Sequence, residues 1–415
     1  MVKYTSVYQI KNRKFCMLKA YKFCIKPTKE QQTLLQNNFN ASRHVYNRSL
    51  ALKSYLYKKS GIQIGLKELK GRLPTLRKRY AWLKNAYSAV LQQSVINLDT
   101  AFKNFFNKKA KYPRFKLKRG KQSIQYPANV TLNPNDSTVK IPKIGDIKII
   151  LHRQCGEGKI KTVTITKTPT DKYFVSILID DCCDIIPITQ TINEDQILGI
   201  DAGLTNIIHC SNDKSIINPK YLNKYQMQLA KAQKSFARKT NKSSKRRAIA
   251  RQKIAKIYEK ITNTRNDFQH KLSSALVDEN QAIGVETLMI KNLIKNRKLS
   301  KSFADASIHS LYAKIDYKLK HKGGHFVKID KWYPSTKTCY HCGNIRDTMK
   351  LKERVYDCSA CGISLSRDYN AALNIKRETI TKLRATGHVV LRRGDTGRPQ
   401  AIVAGAYETS RSLTL

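Results

Sequence analysis

Acidic residues are scarce in this chain of 415 residues: 29 aspartates and glutamates stand against 79 lysines and arginines, for a formal net charge of +50. Self-repulsion of that size destabilises a compact state unless a polyanion accompanies it. Nucleic acid is therefore the first candidate partner, with an affinity that falls as salt rises. A membrane surface is less favoured, because the basic and aromatic residues are spread over several segments instead of one amphipathic helix.

Long apolar runs are also lacking. None approaches the roughly 18 residues of a membrane span, and no apolar signal-peptide segment opens the chain. Of the ten cysteines, the six outside one short segment lack the paired spacing of a disulfide framework. We therefore expect no membrane partner and a reducing, intracellular compartment. The apolar content of 41% is enough for globular domains, and the length predicts about two to four of them.

The remaining four cysteines lie close together in the chain. Cys339 and Cys342 form one Cys-x-x-Cys pair, and Cys358 and Cys361 form a second pair after fifteen intervening residues. This is the spacing of a zinc ribbon, in which two knuckles each offer two thiolates to one tetrahedral ion. We expect one structural Zn²⁺ without a part in catalysis, because four thiolates leave no open position for a substrate.

Three acidic residues stand in contexts typical of a second metal site. Asp201 and Glu286 each end an apolar, strand-like run, and Asp368 lies at the start of a predicted helix. Taken singly, each is compatible with a turn, a strand end or a helix start. Together, from two parallel strands and a helix, they predict a hard-oxygen site for two Mg²⁺ or Mn²⁺ ions. Such ions activate a water and stabilise the leaving 3′ oxygen of a phosphodiester.

Two basic stretches are candidate nucleic-acid contacts. Residues 108–122 hold eight lysines or arginines and no acid, interleaved with Tyr112 and Phe115, and residues 231–260 hold twelve against one acid. A charge run is usually a solvated face, but interleaved aromatics favour nucleic acid. The candidate residues are Arg114, Lys116, Lys118, Arg119, Lys121, Lys245, Arg246 and Arg247.

The pattern of the first half predicts helices followed by strands. A strand over residues 14–26 precedes a helix opened by the capping box Thr28-x-x-Gln31. A second helix is expected over residues 88–106, with its aromatics on the core face. Short β-type segments in residues 124–180 indicate a small barrel that the N-terminal strand joins.

The pattern changes after a linker expected at residues 181–196. Strand, strand, helix, strand and helix follow in that order. A long helical segment over residues 220–279 is expected to break at Ser243-Ser244. Its apolar stripe consists of Ile254, Ile257, Ile261, Phe268, Leu272 and Leu276.

Several of these motifs resemble the TnpB (OrfB) family, the RNA-guided nucleases of bacterial and archaeal insertion sequences that are related to type V CRISPR effectors. The resemblance lies in LGIDAGLTN, IGVET, TCYHCG with CSACG, and RDYNAALNI, and it extends to PTKEQQTLL, LQQSVINLDTAFKNFF and YPRFKLKRGKQS. It covers about residues 21–375. The family's metal-binding acids fall on Asp201, Glu286 and Asp368, and its zinc ligands fall on the four ribbon cysteines.

The resemblance implies an α/β multidomain protein, with a RuvC-like nuclease domain of RNase H fold and an N-terminal, wedge-type β-barrel that carries a helical insert. The tail shows no strong periodicity, which is compatible with disorder. The expected bounds are 1–30 and 119–190 for the barrel, 31–118 for the helical recognition domain, 191–334 and 364–380 for the nuclease domain, 335–363 for the zinc ribbon, and 381–415 for the tail.

The resemblance also implies a function. The protein would bind a transposon-derived guide RNA, read a short target-adjacent motif in double-stranded DNA and displace one strand as single-stranded DNA. It would then cut by Mg²⁺-dependent hydrolysis, leaving a 5′ phosphate and a 3′ hydroxyl. We expect a cytoplasmic, nucleoid-associated protein of a bacterium or archaeon. The oligomeric state, the guide and the motif stay open.

Two positions depart from the family pattern. Thr287 and Ser366 stand where the family commonly has acids; neither replaces a ligand, but both bear on how ligands are oriented.

Three alternative functions stay open. The first alternative is a guided DNA-binding repressor with a weak or idle nuclease site. The second is a transposase-type strand transferase, which can use the same metals. The third is a zinc-ribbon RNA chaperone, which would lack metal-dependent cleavage.

Overall fold

The computed structural model describes residues 16–156, 158–184, 188–289, 293, 295–296, 299–350 and 352–392. The chain divides into two compact units, residues 1–185 and 186–415. Each unit has hydrophobic clusters of its own. In the described part of the chain, no helix combines the length and apolarity that a membrane crossing requires.

The helices of the first unit begin with a capped 32-residue helix. Gln31 N–H donates to Thr28 Oγ1 at 3.3 Å and Thr28 N–H donates to Gln31 Oε1 at 3.1 Å, so the predicted capping box is confirmed. The helix ends at Gly61, whose φ of 65° is left-handed. The helices are α1 (Lys29–Ser60), α2 (Leu66–Gly71), α3 (Leu73–Arg79) and α4 (Ser88–Phe106), the last with the predicted bounds.

Seven strands of this unit form one antiparallel sheet. They are β1 (Cys16–Lys26), β2 (Gln122–Tyr126), β3 (Thr131–Asn133), β4 (Thr138–Ile141), β5 (Gly145–Ile150), β6 (Lys159–Lys167) and β7 (Tyr173–Asp184). Their order in the sheet is β2-β6-β7-β1-β5-β4-β3, so the first strand lies between β7 and β5, as predicted from its sequence. No pairing joins the edge strands β2 and β3 among the described residues, so barrel closure stays a prediction.

The second unit is built on a five-stranded sheet. Its strands are β9 (Ile197–Asp201), β10 (Asn206–Cys210), β11 (Ser215–Ile217), β12 (Ala282–Val285) and β13 (His325–Lys328). They lie in the order β11-β10-β9-β12-β13. The three strands β9, β12 and β13 are parallel to one another, and β10 and β11 continue the sheet antiparallel.

Helices cover both faces of this sheet. They are α5 (Tyr221–Lys224), α6 (Gln226–Ala237), α7 (Lys245–Glu279), α8 (Ser300–Ala306), α9 (Ile308–His321) and α10 (Arg367–Ala385). Alternate residues of the strands are buried in opposite directions: Leu198 and Ile200 pack with α9, whereas Ile197 packs with the C-terminal part of α10. Each strand therefore contributes to the core on both sides of the sheet.

The long helical segment breaks where it was predicted to break, and most of its predicted apolar stripe is in the core: Ile261 is buried, and Phe268, Leu272 and Leu276 pack against a hydrophobic cluster. Ser244 is the N-cap position of α7. Ile254 and Ile257 are only partly buried, whereas Gln269 and Ser273 are buried. The polar residues are buried because they bond to neighbours: Gln269 Oε1, for example, accepts a hydrogen bond from Lys314 Nζ of α9 at 3.0 Å.

Two predictions about segments without regular structure are wrong. The expected linker at 181–196 contains a strand, β8 (Thr191–Asn193), which pairs with β16 (Val389–Leu391) inside the expected tail. Ile192 anchors this pair, because its side chain is 0% exposed in a cluster with Leu383 and Val390. Strands of three residues are too short to show a hydrophobic period in the sequence. The helix α10 also enters the expected tail, because it continues past residue 380 to Ala385. Residues 393–415 of the expected tail lie outside the described residues.

Candidate functional site

Two candidate acids lie side by side at the ends of parallel strands. Asp201 is the last residue of β9, and Glu286 directly follows β12. The register pairs Ile200 of β9 with Val285 of β12, so the residue that follows each of them lies at the same edge of the sheet. The prediction that two parallel strands present these acids together agrees with this arrangement.

Glycines bring the helix that carries the third acid against the same strands. A Cβ on Gly199 would lie 2.2 Å from the carbonyl oxygen of Ala372, and a Cβ on Gly284 would lie 1.7 Å from Oγ1 of Thr379. Both strands therefore need glycine where α10 crosses them. Asp368 lies in the first turn of this helix.

The carboxylates of Glu286 and Asp368 both act on the carboxyl group of Asp201. Burial raises the pKa of Asp201 to about 8, and the carboxylates of Glu286 and Asp368 add to the rise. The guanidinium of Arg367 and the backbone N–H of Ala202 oppose the increase. Negative charge is thus concentrated here with incomplete compensation, the condition that favours a bound cation.

Arg367 is the cation of this site. Its Nε and Nη2 donate to Oδ1 of Asp368 at 3.2 and 3.1 Å, and its side chain is 14% exposed. Ser366 lies at the N-cap of α10, but its side chain makes no capping hydrogen bond. The sequence analysis did not single out Arg367, although its place beside Asp368 in RDYNAALNI was a signal.

Glu286 is held by a residue that the sequence analysis also missed. The Oγ of Ser335 donates to Oε1 of Glu286 at 2.5 Å. Thr287, one of the two departures from the family pattern, donates through Oγ1 to the carbonyl oxygen of Ile329 at 2.7 Å. Thr287 therefore fixes the backbone after Glu286.

Two further polar side chains lie next to the acids. The hydroxyl of Tyr312 is buried without a hydrogen-bond partner among the described residues, and burial together with Asp201 and Glu286 raises the pKa of Tyr312 well above its usual range. His209 pairs with Asp201 across the antiparallel strands, and its Nε2 lies 3.4 Å from Oδ1 of Asp213. Neither residue carried a recognisable sequence signal.

The donor set fits a hard divalent cation, since carboxylate oxygens are the ligands that Mg²⁺ and Mn²⁺ prefer. Among the described residues, the four cysteines are the group of potential ligands whose donor atoms all lie within 4.8 Å of one another. The oxygens of Asp201, Glu286 and Asp368 are therefore more widely spread than the sulfurs. Their mutual charge, rather than close contact, is the observation that supports a metal site.

The four cysteines form a compact cluster beside a short hairpin, β14 (Val355–Asp357) and β15 (Ser364–Ser366). The Sγ atoms of Cys339 and Cys361 are 3.7 Å apart, and those of Cys342 and Cys358 are 3.5 Å apart. A tetrahedron with Zn–S bonds of about 2.3 Å requires sulfurs about 3.8 Å apart. The cluster therefore fits one zinc ion.

Two sulfurs of the cluster have shifted pKa values. Desolvation and hydrogen bonds to the other cysteines raise the pKa of Cys361 to about 12, whereas the backbone N–H groups of Cys361 and Ala360 lower the pKa of Cys358 to about 6. This sulfur is therefore largely thiolate at neutral pH, the form that binds the metal. Tyr356 is fully buried behind the cluster, and its hydroxyl donates to the carbonyl oxygen of Lys337 at 3.0 Å.

The candidate nucleic-acid contacts divide into exposed and packed side chains. The Nζ of Lys116 lies 4.2 Å from the ring centre of Tyr46, and burial lowers the pKa of Lys116. Arg247 packs at 4.1 Å on the ring of Phe236 and donates through Nη1 to its carbonyl oxygen. The exposed candidates are Arg114, Lys118, Arg119, Lys121, Lys245 and Arg246.

A cavity of about 430 Å³ in the first unit is lined by Phe115 of the basic stretch 108–122 and by residues that the sequence analysis missed. Trp82 and Phe115 supply aromatic surface there, and Arg43 and Arg48 supply charge. Burial lowers the pKa of His44 in its wall, and the two arginines lower it further. Aromatic and cationic groups together suit a nucleotide.

Three family models match separate parts of the chain. One described as a probable transposase matches residues 180–297, one described as a Cas12f1-like TNB domain matches residues 309–375, and one described as a helix-turn-helix domain matches residues 17–61. Over this last range the structure has a strand followed by a single helix, so the description does not fit its geometry.

Curated relatives match nearly the whole chain. A "Putative RNA-guided DNA endonuclease" of Streptomyces pristinaespiralis is 35% identical over 386 residues, 92% of either chain. "Putative RNA-guided DNA endonuclease InsQ" of Escherichia coli K12 is 28% identical over 403 residues, 92% of this chain and 96% of its own. "TnpB-like protein L79" of Acanthamoeba polyphaga mimivirus is 23% identical over 398 residues, 88% of this chain and 74% of its own.

Among solved structures, the fold is similar to that in a cryo-EM structure of a Cas12f1–sgRNA–target DNA complex. The TM-score is 0.55 at 14% identity, over 87% of this chain and 99% of that chain. This likeness defines the class of the fold, an α/β architecture shared with Cas12f1. The relatives define the family: the chain belongs to the TnpB (OrfB) family.

Proposed function

We propose that this protein is an RNA-guided DNA endonuclease whose nuclease site is formed by Asp201, Glu286 and Asp368. The observation that carries the proposal is the convergence of these carboxylates, since Glu286 and Asp368 both act on the pKa of Asp201. Relatives described as RNA-guided DNA endonucleases, which match 92% of the chain, support the activity.

The five-stranded sheet of the second unit is, in this proposal, the RuvC-like RNase H fold. Its support is the pair of acids at the ends of β9 and β12 with α10 packed across both strands. The zinc ribbon, residues 335–363, is inserted before α10. The seven-stranded sheet of the first unit is the wedge-type barrel, and the helices between β1 and β2 form the recognition domain.

The three carboxylates would hold two Mg²⁺ or Mn²⁺ ions. Bound ions would activate a water and stabilise the leaving 3′ oxygen, which yields a 5′ phosphate and a 3′ hydroxyl. Within the chain, Arg367 orients Asp368 through two hydrogen bonds, and the N–H of Ala202 orients Asp201. Removal of any one carboxylate would leave too few hard ligands.

The remaining surface serves binding. A net charge of +50 suits a protein that stays on guide RNA and target DNA. The guide would read the target by base pairing, while the protein reads a short adjacent motif. An idle repressor is not favoured, because all three acids are present and the carboxylates of Glu286 and Asp368 both raise the pKa of Asp201. A strand transferase is not favoured either, since the relatives are described as endonucleases.

The test begins with the RNA that copurifies with the protein. Its sequence defines the guide segment, and a plasmid with a complementary target beside randomised flanks is then incubated with the complex and Mg²⁺. Wild-type protein is expected to cut the plasmid, whereas Asp201→Ala should bind the RNA equally and cut nothing. A wild-type complex that never cuts any target would overturn the proposal, and a cutting Asp201→Ala variant would overturn the site.

Asp267→Ala is the matched control. It removes an aspartate whose side chain is 63% exposed and paired with Lys271 at 2.8 Å on α7. Because this carboxylate contributes nothing to the acid cluster, the variant should cut as the wild type does.

A further inference from the structure

One loop links the zinc ribbon to the nuclease acids. Ser335 lies four residues before the zinc ligand Cys339, and its side chain is 3% exposed. Its Oγ donates to Oε1 of Glu286, 49 residues away in the chain. A hydrogen bond to one carboxylate oxygen restricts rotation of the carboxylate about its last bond. A charged acceptor also makes this bond stronger than one between neutral groups.

The helix that carries Asp368 holds the same loop. Asn374 Nδ2 donates to the carbonyl oxygens of Ser335 and Thr338 at 2.9 and 2.7 Å. Asn370, one turn earlier, donates to Thr338 at 2.8 Å and accepts from Tyr340 N–H at 3.0 Å. Both asparagines are 0% exposed. Residues four apart on a helix share one face, so the side-chain amides of both asparagines bind the loop from the same side.

The result is a continuous buried path from the first zinc knuckle to a metal-site acid. It runs through Thr338, Asn374 and Ser335 to Glu286, and every step is a hydrogen bond. Oδ1 of Asn374 has no hydrogen-bond partner among the described residues, so the Nδ2 bonds of Asn370 and Asn374 are the ones that hold the loop, and they would be lost if the loop moved. Cys339 directly follows Thr338 in the chain, so the same hydrogen bonds hold the first zinc ligand and the loop that contacts Glu286.

We propose that Ser335 is a positioning residue for Glu286, and that Asn374 holds Ser335 in place, so that the base of the zinc ribbon is part of the support of the nuclease metal site. This inference rests on the proposed function only for the identity of the reaction. The hydroxyl of Ser335 is expected to raise the affinity of the carboxylates for a divalent cation, and this affinity is measurable without cleavage. Groups that orient metal ligands typically change metal affinity about 10- to 100-fold.

The test compares Ser335→Ala with Ser335→Thr, which keeps the hydroxyl, in full-length protein with its copurified RNA. Mn²⁺ binding is measured by titration in the absence of DNA, and cleavage is measured against Mg²⁺ concentration. Ser335→Ala should need about tenfold or more Mn²⁺ for half saturation, with zinc content unchanged. Ser335→Thr should restore most of the affinity.

Ser364→Ala is the matched control. Ser364 is an exposed serine on β15 that also donates to a carboxylate at 2.6 Å, but its acceptor, Asp357, is not one of the three acids. This variant should bind Mn²⁺ as the wild type does. Wild-type Mn²⁺ affinity in Ser335→Ala would overturn the inference, as would equal losses in Ser335→Ala and Ser364→Ala.

A double-mutant cycle tests the role of Asn374. If Asn374 acts through Ser335, the variant Ser335→Ala/Asn374→Ala should bind Mn²⁺ about as weakly as the weaker single variant. Fully additive losses would overturn the coupling. Failure of the proposed function is distinguishable, because wild-type protein would then fail to cut DNA while the Mn²⁺ differences among the variants persisted.

Discussion

Gly199 of β9 packs so tightly against Ala372 of α10 that a Cβ would lie 2.2 Å from the carbonyl oxygen of Ala372 and 2.5 Å from the backbone nitrogen of Lys376. Both obstacles are backbone atoms, so neither can move aside without moving the helix. The contact sets the distance between the strand that ends in Asp201 and the helix that carries Asp368 in its first turn. The geometry of the acid site therefore depends on residue 199 being a glycine, which has no side chain.

We expect Gly199→Ala to displace α10 and to reduce both stability and cleavage. Overpacking typically costs about 1–3 kcal/mol, and a backbone clash places this variant at the upper end. Urea denaturation should show the loss, and cleavage should fall more than guide-RNA binding. Gly71→Ala is the control, because nothing lies within 4 Å of a Cβ there. Equal stability of Gly199→Ala and wild type would contradict the packing described.

The raised pKa of Asp201 predicts a pH dependence of stability in Mg²⁺-free, zinc-containing protein. The folded pKa is about 8, whereas an unfolded aspartate titrates near about 3.9. The neutral carboxyl therefore favours the folded state: its contribution is complete below about pH 4 and is lost as the pH rises towards about 8. Asp201→Asn, which stays neutral, should flatten the decline of the free energy of unfolding between these values.

Denaturation at a series of pH values checks this prediction. Asp267→Asn should keep the wild-type slope, because its carboxylate is 63% exposed and outside the acid cluster. A wild-type slope in Asp201→Asn would show that another group carries the dependence.

The cysteine cluster predicts about one zinc ion per chain. Cys339→Ser should lose the ion, because its buried sulfur lies 3.7 Å from that of Cys361 and a hydroxyl is a poor replacement for a thiolate. Elemental analysis of purified protein measures the zinc content. Cys155→Ser, a change in the first unit and outside the cluster, should leave it unchanged. Well under one ion in the wild type would refute a structural zinc site.

The exposed basic loop should contribute to RNA binding by neutralising phosphates. Joint replacement of Arg114, Lys118 and Arg119 by alanine should weaken binding and lower the salt slope, by about 0.7–0.9 for each phosphate that is no longer neutralised. Filter binding of the copurified RNA over a range of salt concentrations measures both. Lys103→Ala, whose ammonium already pairs with Asp99 at 3.0 Å, is the control. An unchanged slope would remove this loop from the RNA-binding surface.

Features carried by a local pattern could be predicted from the sequence. The capping box, the bounds of α4 and the break before α7 depend on residues close together in the chain. The short pair of β8 and β16 could not be predicted, because about 200 residues separate strands of three residues each. Its stability comes from a distant partner, and periodicity within one segment does not report that.

The sequence by itself determined the ligand chemistry of the two proposed metal sites: four cysteines at zinc-ribbon spacing, two acids at the ends of apolar runs and a third at a helix start. Only the tertiary structure decided what supports them. It placed Ser335 on Glu286 and Arg367 on Asp368, and it packed Lys116 against Tyr46 instead of leaving it free. The physical reason is that ligand identity is a property of side-chain chemistry, whereas orientation and burial arise from contacts between distant parts of the chain.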